Sequence, residues 1–166
     1  MQETIWGAVD VIEMMRPVRG AAELEVARFE RANNLALPKN YRRFLGEQNG
    51  GRPKDGEFPV PGWGVTVVDT FFGIGTGDSY DLQRQLDRLA NPRNSELLPI
   101  ATDPGGLRLF LGIRGPHVGG IFFWDHKDSA SQPVQVADDF ESFAASLKPD
   151  GAYDDYEFGL PPKHSA

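Results

Sequence analysis

Glycine and proline interrupt this chain so often that its helices and strands are expected to be short. The 166 residues include 19 glycines and 13 prolines, and both residue types favour turns over the interiors of regular elements. The chain is long enough to enclose a core, and 40% of its residues are hydrophobic. We therefore expect one domain of short elements joined by frequent loops.

Two amphipathic helices are predicted in the first third of the chain. Apolar residues recur at helical spacing over residues 21–33 and again after Pro38, which suits the first turn of a helix. The second helix should end at Asn-Gly-Gly (49–51), because glycine easily adopts the left-handed backbone of helix ends. The side chains that share the apolar faces are Ala22, Val26, Phe29, Asn33, Tyr41, Phe44, Leu45 and Gln48.

Two further helices and a region of short strands are expected. Residues 52–62 are rich in proline and glycine and predict an irregular stretch, whereas residues 63–72 are rich in Val, Thr and aromatics and predict one or two strands. Asp78 or Ser79 can cap a third helix, and Asp138 can cap the last one.

The second half of the chain has the pattern of an antiparallel meander. Three strand-like runs, at 97–101, 107–113 and 120–125, are separated by strong turn sequences. The third run is apolar throughout residues 121–124, which predicts an interior strand covered on both faces. Valines at 134 and 136 predict one more short strand.

The charge balance favours a basic protein partner over nucleic acid. There are 24 acidic and 17 basic residues, which gives a formal net charge of −7 that repels phosphate backbones and attracts basic surfaces. A modest negative charge also serves solubility without any partner. We find neither a signal-peptide pattern nor a run of ~18 apolar residues, so we expect a cytoplasmic protein without a membrane span.

The residues do not form a recognisable catalytic set. The chain has no cysteine, and the glycine-rich segment 73–77 lacks the Lys-Ser or Lys-Thr of a phosphate-binding loop. A metal or hydrolase site built from His126, Asp125 and Asp128 is an alternative, but the pattern is unspecific and favours a solvated strand end. We expect no enzymatic activity, no metal site and no cofactor.

Aromatic residues beside acidic ones in the predicted loops suggest a surface that docks a basic protein. Trp63 and Tyr80 are expected to be exposed, whereas Phe71, Phe72 and Trp124 are expected in the core. The acids could instead serve only as turn residues that cap backbone groups. The candidate partner-binding residues are Trp63, Asp69, Asp78, Tyr80, Asp103 and Asp125.

Three segments in the same order resemble the Smi/Knr-like family of the SUKH superfamily. They are Leu-Pro-Lys-Asn-Tyr-Arg-Arg-Phe-Leu (37–45) closed by Asn-Gly-Gly, Gly-Gly-Ile-Phe-Phe-Trp-Asp-His (119–126), and Val-Ala-Asp-Asp-Phe-Glu-Ser-Phe (136–143). The resemblance spans about residues 20–148. It implies an α+β fold in residues 1–150, with a mixed, curved, mainly antiparallel sheet packed by about four helices. Residues 151–166 then form an acidic, aromatic tail.

The resemblance also implies a non-catalytic role in binding protein. Many bacterial members are immunity proteins that neutralise a toxin, often a nuclease, and a nuclease is expected to be basic because it holds phosphate. We therefore expect a cognate basic toxin as partner, bound by a monomer or weak homodimer that occludes it. The alternative is a regulatory or scaffold adaptor domain that is not linked to a toxin. The segment 52–62 and the tail depart from the family pattern.

Overall fold

A computed structural model of the protein describes residues 12–92 and 95–154, which form four α-helices and two antiparallel sheets. The expected α+β fold is confirmed. The elements are α1 (Glu23–Asn33), α2 (Lys39–Glu47), β1 (Glu57–Val60), β2 (Gly64–Val67), β3 (Thr70–Phe71), α3 (Leu82–Asp87), β4 (Leu97–Thr102), β5 (Arg108–Gly112), β6 (Ile121–Trp124), β7 (Val134–Ala137) and α4 (Phe140–Ser146).

The larger sheet contains the predicted meander. Its strands follow the order β3-β4-β5-β6-β7, and each pairs antiparallel with its neighbour. Strand β6 lies between β5 and β7, and its residues Ile121, Phe122 and Phe123 are all buried. The prediction of an interior strand covered on both faces is therefore confirmed.

The smaller sheet corrects the prediction for residues 52–62. Strand β1 lies inside that stretch and pairs with β2, because Phe58 and Val60 alternate inward although prolines and glycines surround them. The expected single sheet is also wrong. The amide of Val68 donates to Gly56 in the hairpin, whereas the next amide, of Asp69, donates to Thr102 in β4, so the chain changes sheets between these two residues.

The main core lies between one face of the larger sheet and the helices α2 and α4. Phe71 of β3 contacts Phe44 of α2 at 5.2 Å between ring centroids, and Phe140 of α4 lies 4.9 Å from Phe44. Tyr41 joins the same cluster, 5.2 Å from Phe140. These rings make β3, α2 and α4 one packed unit, as their apolar spacing predicts.

The Asn-Gly-Gly segment fastens the end of α2 to the residues after β3. The side-chain amide of Asn49 donates to the carbonyl of Ile74 and accepts from its N–H, both at 2.7 Å. Gly50 and Gly51 have φ of 81° and 115°, which side-chain-bearing residues rarely adopt. The motif thus ends the helix and also joins two distant parts of the chain.

The predicted helix caps are displaced by one to three residues. Helix α3 is capped by Asp81, whose carboxylate accepts from the amides of Gln83 and Arg84, and not by Asp78 or Ser79. Helix α4 is capped by Asp139, which accepts from Ser142, and not by Asp138. Pro38 is the N-cap of α2, one residue before its first turn.

The first residues after 150 contact the body of the protein. The carboxylate of Glu57 accepts from the amides of Gly151 and Tyr153, and the Tyr153 hydroxyl donates to the carbonyl of Ser146. The sequence leaves open whether the tail packs on the body through Tyr153, Tyr156 and Phe158 or is loosely ordered, and Tyr156 and Phe158 lie outside the described residues. A boundary at residue 150 stays a prediction. Within the described ranges, the helices are too short or too polar to cross a bilayer.

Replacing Tyr41 by phenylalanine should stabilise the protein. The Tyr41 ring is 0% exposed, and its hydroxyl is the one buried side-chain polar atom in the described residues that lacks a hydrogen-bond partner. Removing an unsatisfied hydroxyl should raise the free energy of unfolding by about 1 kcal/mol at pH 7, measured by urea denaturation. Tyr80→Phe, at an exposed ring, is the control and should change little.

Tyr41→Phe should also reduce the loss of folding free energy at high pH. Burial raises the pKa of Tyr41, so above pH ~10 the unfolded chain loses this proton and the folded one keeps it. Stability should therefore fall with rising pH in the wild type, by up to about 1.4 kcal/mol per pH unit from this group. An equal decline in Tyr41→Phe would contradict the assignment.

Two glycine-to-alanine variants should have opposite effects. A Cβ at Gly73 would lie 2.3 Å from the carbonyl oxygen of Asn49, whereas one at Gly46, inside α2, would meet nothing within 4 Å. Gly73→Ala should lower the melting temperature by several degrees, because the Asn49 junction must open. Gly46→Ala should stabilise by about 1 kcal/mol through helix propensity. Equal effects of the two substitutions would show that the junction is not closely packed.

Candidate functional site

A cleft of about 380 Å³ opens on the second face of the larger sheet, opposite α2 and α4. It is lined by Asp69, Phe72, Ser79 and Tyr80, by Gln85 and Arg88 of the α3 region, and by residues of the turn from β4 to β5. Phe72 is 1% exposed and carries the stacked ring of Tyr80, 6.5 Å away between centroids. The cleft therefore combines an aromatic surface with several charged groups.

Arg108, the first residue of β5, lies at the centre of this cleft. Its Nη1 donates to the Thr102 hydroxyl at 3.0 Å and to the carbonyl of Gly106 at 2.5 Å, and its Nε donates to Gln85 at 3.3 Å. The guanidinium carbon lies 5.7 Å from the centroid of the Phe72 ring. These contacts hold the side chain in one orientation across the cleft.

Strand register brings three of the predicted aspartates to one edge of the sheet. Thr70, Thr102, Arg108 and Trp124 lie opposite one another in a row across β3, β4, β5 and β6. Asp69 precedes the first of them, and Asp103 and Asp125 follow the second and the fourth. The three acids therefore leave the sheet at the same end, although up to 56 positions separate them in sequence.

The three acids differ in how available they are. Asp103 is 7% exposed, and its carboxylate accepts from the amide of Leu107 at 2.9 Å and from the Thr66 hydroxyl at 3.0 Å. Asp69 is partly buried and lies 3.6 Å from Arg52, and Asp125 is partly buried and accepts from the amide of Lys127. Asp103 therefore organises the β4–β5 turn, whereas the other two keep exposed surface.

The remaining candidates lie on the rim of the cleft or away from it. Asp78 is exposed and accepts from the Thr76 hydroxyl and the Tyr80 amide, next to the cleft. Tyr80 and Trp63 are 42% and 45% exposed, as expected. Trp63 belongs to the β1–β2 turn and packs edge-on against Phe123, on the other face of the sheet, so it does not line the cleft.

His126 is part of an aromatic cluster. Its ring lies 5.6 Å from Phe110 and 6.1 Å from Trp124. Burial, aided by the positive charges of Arg108 and Lys127 and opposed by Asp125, lowers the pKa of His126, so the imidazole is neutral at pH 7. Residues 12–92 and 95–154 contain no cluster of three or more His, Asp or Glu that could hold a metal ion.

The basic part of the cleft was not predicted from the sequence. Arg108, Arg88 and Gln85 were not candidates, because each lies in a segment that reads as ordinary strand or helix surface. Arg108 does alternate with Leu107 and Leu109, which places it on the second face of the strand. That alternation was the one available signal, but it does not reveal that Gln85 and Phe72 lie on the same side.

Comparison with known proteins gives one match over most of the chain. The model of the SMI1/KNR4 family (SUKH-1) matches residues 20–146. No curated protein matches the chain. The matched range includes both sheets, all four described helices and every residue of the cleft.

Removing the carboxylate of Asp81 should destabilise the wall of the cleft more than removing that of Asp78. Asp81 is buried and caps α3, so Asp81→Ala should lower the free energy of unfolding by about 1–2 kcal/mol. Asp78→Ala removes only bonds within an exposed turn and should cost less than about 0.5 kcal/mol. Chemical denaturation of both variants measures the difference, and the reverse order would contradict the assigned cap.

Proposed function

Since the chain belongs to the SMI1/KNR4 family (SUKH-1), we propose that it is an immunity protein that binds and neutralises a cognate basic toxin. Membership supports a module of the immunity type or of the Smi/Knr-like kind, and members of the family are generally non-catalytic. We place this role in the cytoplasm, a reducing compartment that suits a chain without cysteine. The proposed activity is binding alone, without chemistry on the toxin.

The observation that carries this proposal is the convergence of acids at one edge of the sheet. Asp69 and Asp125 leave the larger sheet at the same end, and Asp78 lies beside the same cleft. They add to the net charge of −7, which gives the molecule as a whole a negative field. Such a field accelerates encounter with a basic surface and aligns it before contact.

Exposed aromatic rings next to this edge supply the apolar part of the contact. Tyr80 offers one face to solvent while the other stacks on Phe72, so the ring is held in place before binding. Trp63 is similarly braced by Phe123. Rigid aromatic residues that lose little conformational entropy commonly dominate protein interfaces. Tyr80 is the anchor that we propose for the acidic edge, and Trp63 is a second anchor on the hairpin.

A nuclease is the toxin class that fits this surface best. An enzyme that holds phosphate presents basic residues around its active site, and an acidic partner attracted to them covers the site. The inhibitor then needs no contact with the catalytic residues themselves. Occlusion requires only a 1:1 complex, and a monomer or a weak homodimer of this chain can provide it.

Neutralising the acids at the edge should weaken protection against the toxin. The protein encoded next to this one is co-expressed with the wild type, with Asp69→Asn/Asp78→Asn/Asp125→Asn, and with Glu141→Gln. The triple variant should associate on the order of tenfold more slowly at low salt and protect less well, because electrostatic steering is lost. Glu141 is exposed on α4, behind the opposite face, so its variant should protect like the wild type.

Two outcomes would count against the proposal. A neighbouring protein that is not toxic, or a toxic one that this chain neither binds nor neutralises, would favour a regulatory or scaffold module of the same family. Full protection by the triple variant, with unchanged association rate, would leave an immunity role but move it to another surface. Size-exclusion chromatography of the complex would test the 1:1 stoichiometry.

A further inference from the structure

The cleft contains two arginines whose charges the described residues do not neutralise. Arg108 and Arg88 both line it, and neither has a carboxylate within 4 Å among the described residues. This is unexpected in an acidic protein, because Asp69 and Asp103 line the same cleft. Arg88 is exposed, but Arg108 is partly buried, and an arginine that is partly removed from water normally acquires a carboxylate partner.

The two aspartates in the cleft are engaged elsewhere. Both carboxylate oxygens of Asp103 accept hydrogen bonds, one from the Leu107 amide and one from the Thr66 hydroxyl. Asp69 accepts from the hydroxyl of Thr70 and lies 3.6 Å from Arg52. The acids therefore shape the turn and the rim, and the positive charge of Arg108 stays available to a molecule that enters the cleft.

Part of the Arg108 guanidinium makes no hydrogen bond to the described residues. A guanidinium has five N–H donors, and Nε and Nη1 account for three bonds, to Gln85, Thr102 and Gly106. Nη2 donates to no described residue, and it is not one of the buried polar atoms that lack a partner. The three bonds fix the plane of the group, and the two N–H donors of Nη2 remain for a ligand.

The electrostatic environment agrees with this geometry. Burial first, and then the positive charge of Arg88, lower the pKa of Arg108, and Asp103 only partly opposes them. The guanidinium remains protonated, since its pKa stays far above neutral pH. Its charge is therefore incompletely compensated, and a bound anion would relieve both the desolvation and the repulsion between the two arginines.

The size and rim of the cleft restrict the anion. A volume of about 380 Å³ accommodates an amino-acid side chain, and the rings of Phe72 and Tyr80 suit its methylene groups. The rim carries Asp69 and Asp78, which repel a doubly charged phosphate more strongly than a single carboxylate. A carboxylate that belongs to a basic surface fits both parts of the cleft. The carboxylate pairs with the two arginines, and the basic groups around it are attracted by the acids on the rim.

We propose that this cleft receives the carboxylate of an aspartate or glutamate from the protein partner, bound between Arg108 and Arg88. The proposal deepens the docking role proposed above and rests on it for the identity of the partner as a protein. It makes the partner's surface more specific: a basic patch with one acidic side chain at its centre. A basic protein without that acid would leave the arginines unpaired on burial and would be rejected.

The test uses the full chain and small probes, so it needs no toxin. Arginine Nε–Hε NMR signals are followed while blocked glutamate (N-acetyl-glutamate N-methylamide), its glutamine analogue and inorganic phosphate are titrated separately. Blocked glutamate should shift the Arg108 signal saturably, and the glutamine analogue should not. Phosphate should bind more weakly than blocked glutamate. Tighter binding of phosphate, or equal shifts with glutamine, would overturn the proposal.

Variants assign the response to the cleft. Arg88→Gln should weaken binding of blocked glutamate by about tenfold, because one of the two positive charges on the carboxylate is lost. Arg88 is exposed, so this substitution should not disturb the fold. Arg108→Lys should abolish saturation while keeping the charge, because lysine lacks the guanidinium plane that Gln85, Thr102 and Gly106 hold in place and the Nη2 donors at its end. Arg84→Gln, exposed on α3 outside the cleft, is the matched control and should bind normally. Unchanged binding in Arg88→Gln would overturn the site even if Arg108→Lys failed to fold.

The experiments distinguish a wrong carboxylate site from a wrong immunity role. A chain that binds blocked glutamate but does not protect against the neighbouring protein keeps the site and loses the proposed partner. A chain that protects but shows no saturable shift keeps the immunity role, and the carboxylate site is then wrong.

Discussion

The pair of hydrogen bonds between Asn49 and Ile74 determines where the rest of the structure can lie. The amide group of one side chain pairs with a backbone in the way that a neighbouring strand would, at 2.7 Å in both directions. Glycines at 50 and 73 allow the two backbones to approach this closely. With the end of α2 held there, Phe71 and Phe72 of the β3 segment are directed to opposite faces of the sheet. The first joins the helical core, and the second becomes the base of the cleft.

The cleft is consequently built mostly by residues that also hold the fold together. Asp103 organises the turn before Arg108, Asp81 begins the helix that carries Gln85, and Gln85 in turn positions the guanidinium. Other side chains of the cleft, such as Tyr80 and Arg88, are exposed and contribute to its surface more than to the stability of the fold. This division separates changes that unfold the protein from changes that alter only its contacts, which is useful in any mutational study of the surface.

Local patterns predicted the elements well and their connections less well. The helices around Val26 and Tyr41 and the three-strand meander follow from apolar spacing and turn residues, which are properties of neighbouring positions. Strand β1 was missed because only two inward side chains, Phe58 and Val60, stand among prolines and glycines. The caps were misplaced because several Asp and Ser residues before a helix are equally suitable, and tertiary contacts choose among them.

Arg108 was missed as a site residue because the register that places it beside Thr102 and Trp124 is set by the whole sheet.

The edge of strand β1 that faces away from β2 is closed to a further strand. Glu57 and Pro59 point their backbone groups away from β2, where a foreign strand could add. The N–H and carbonyl of Glu57 are already bonded to Lys148, and Pro59 has no N–H to offer. An incoming strand would therefore find no free donor at either position. A short ribbon in a glycine-rich chain is a common starting point for aggregation, and this edge is closed to it.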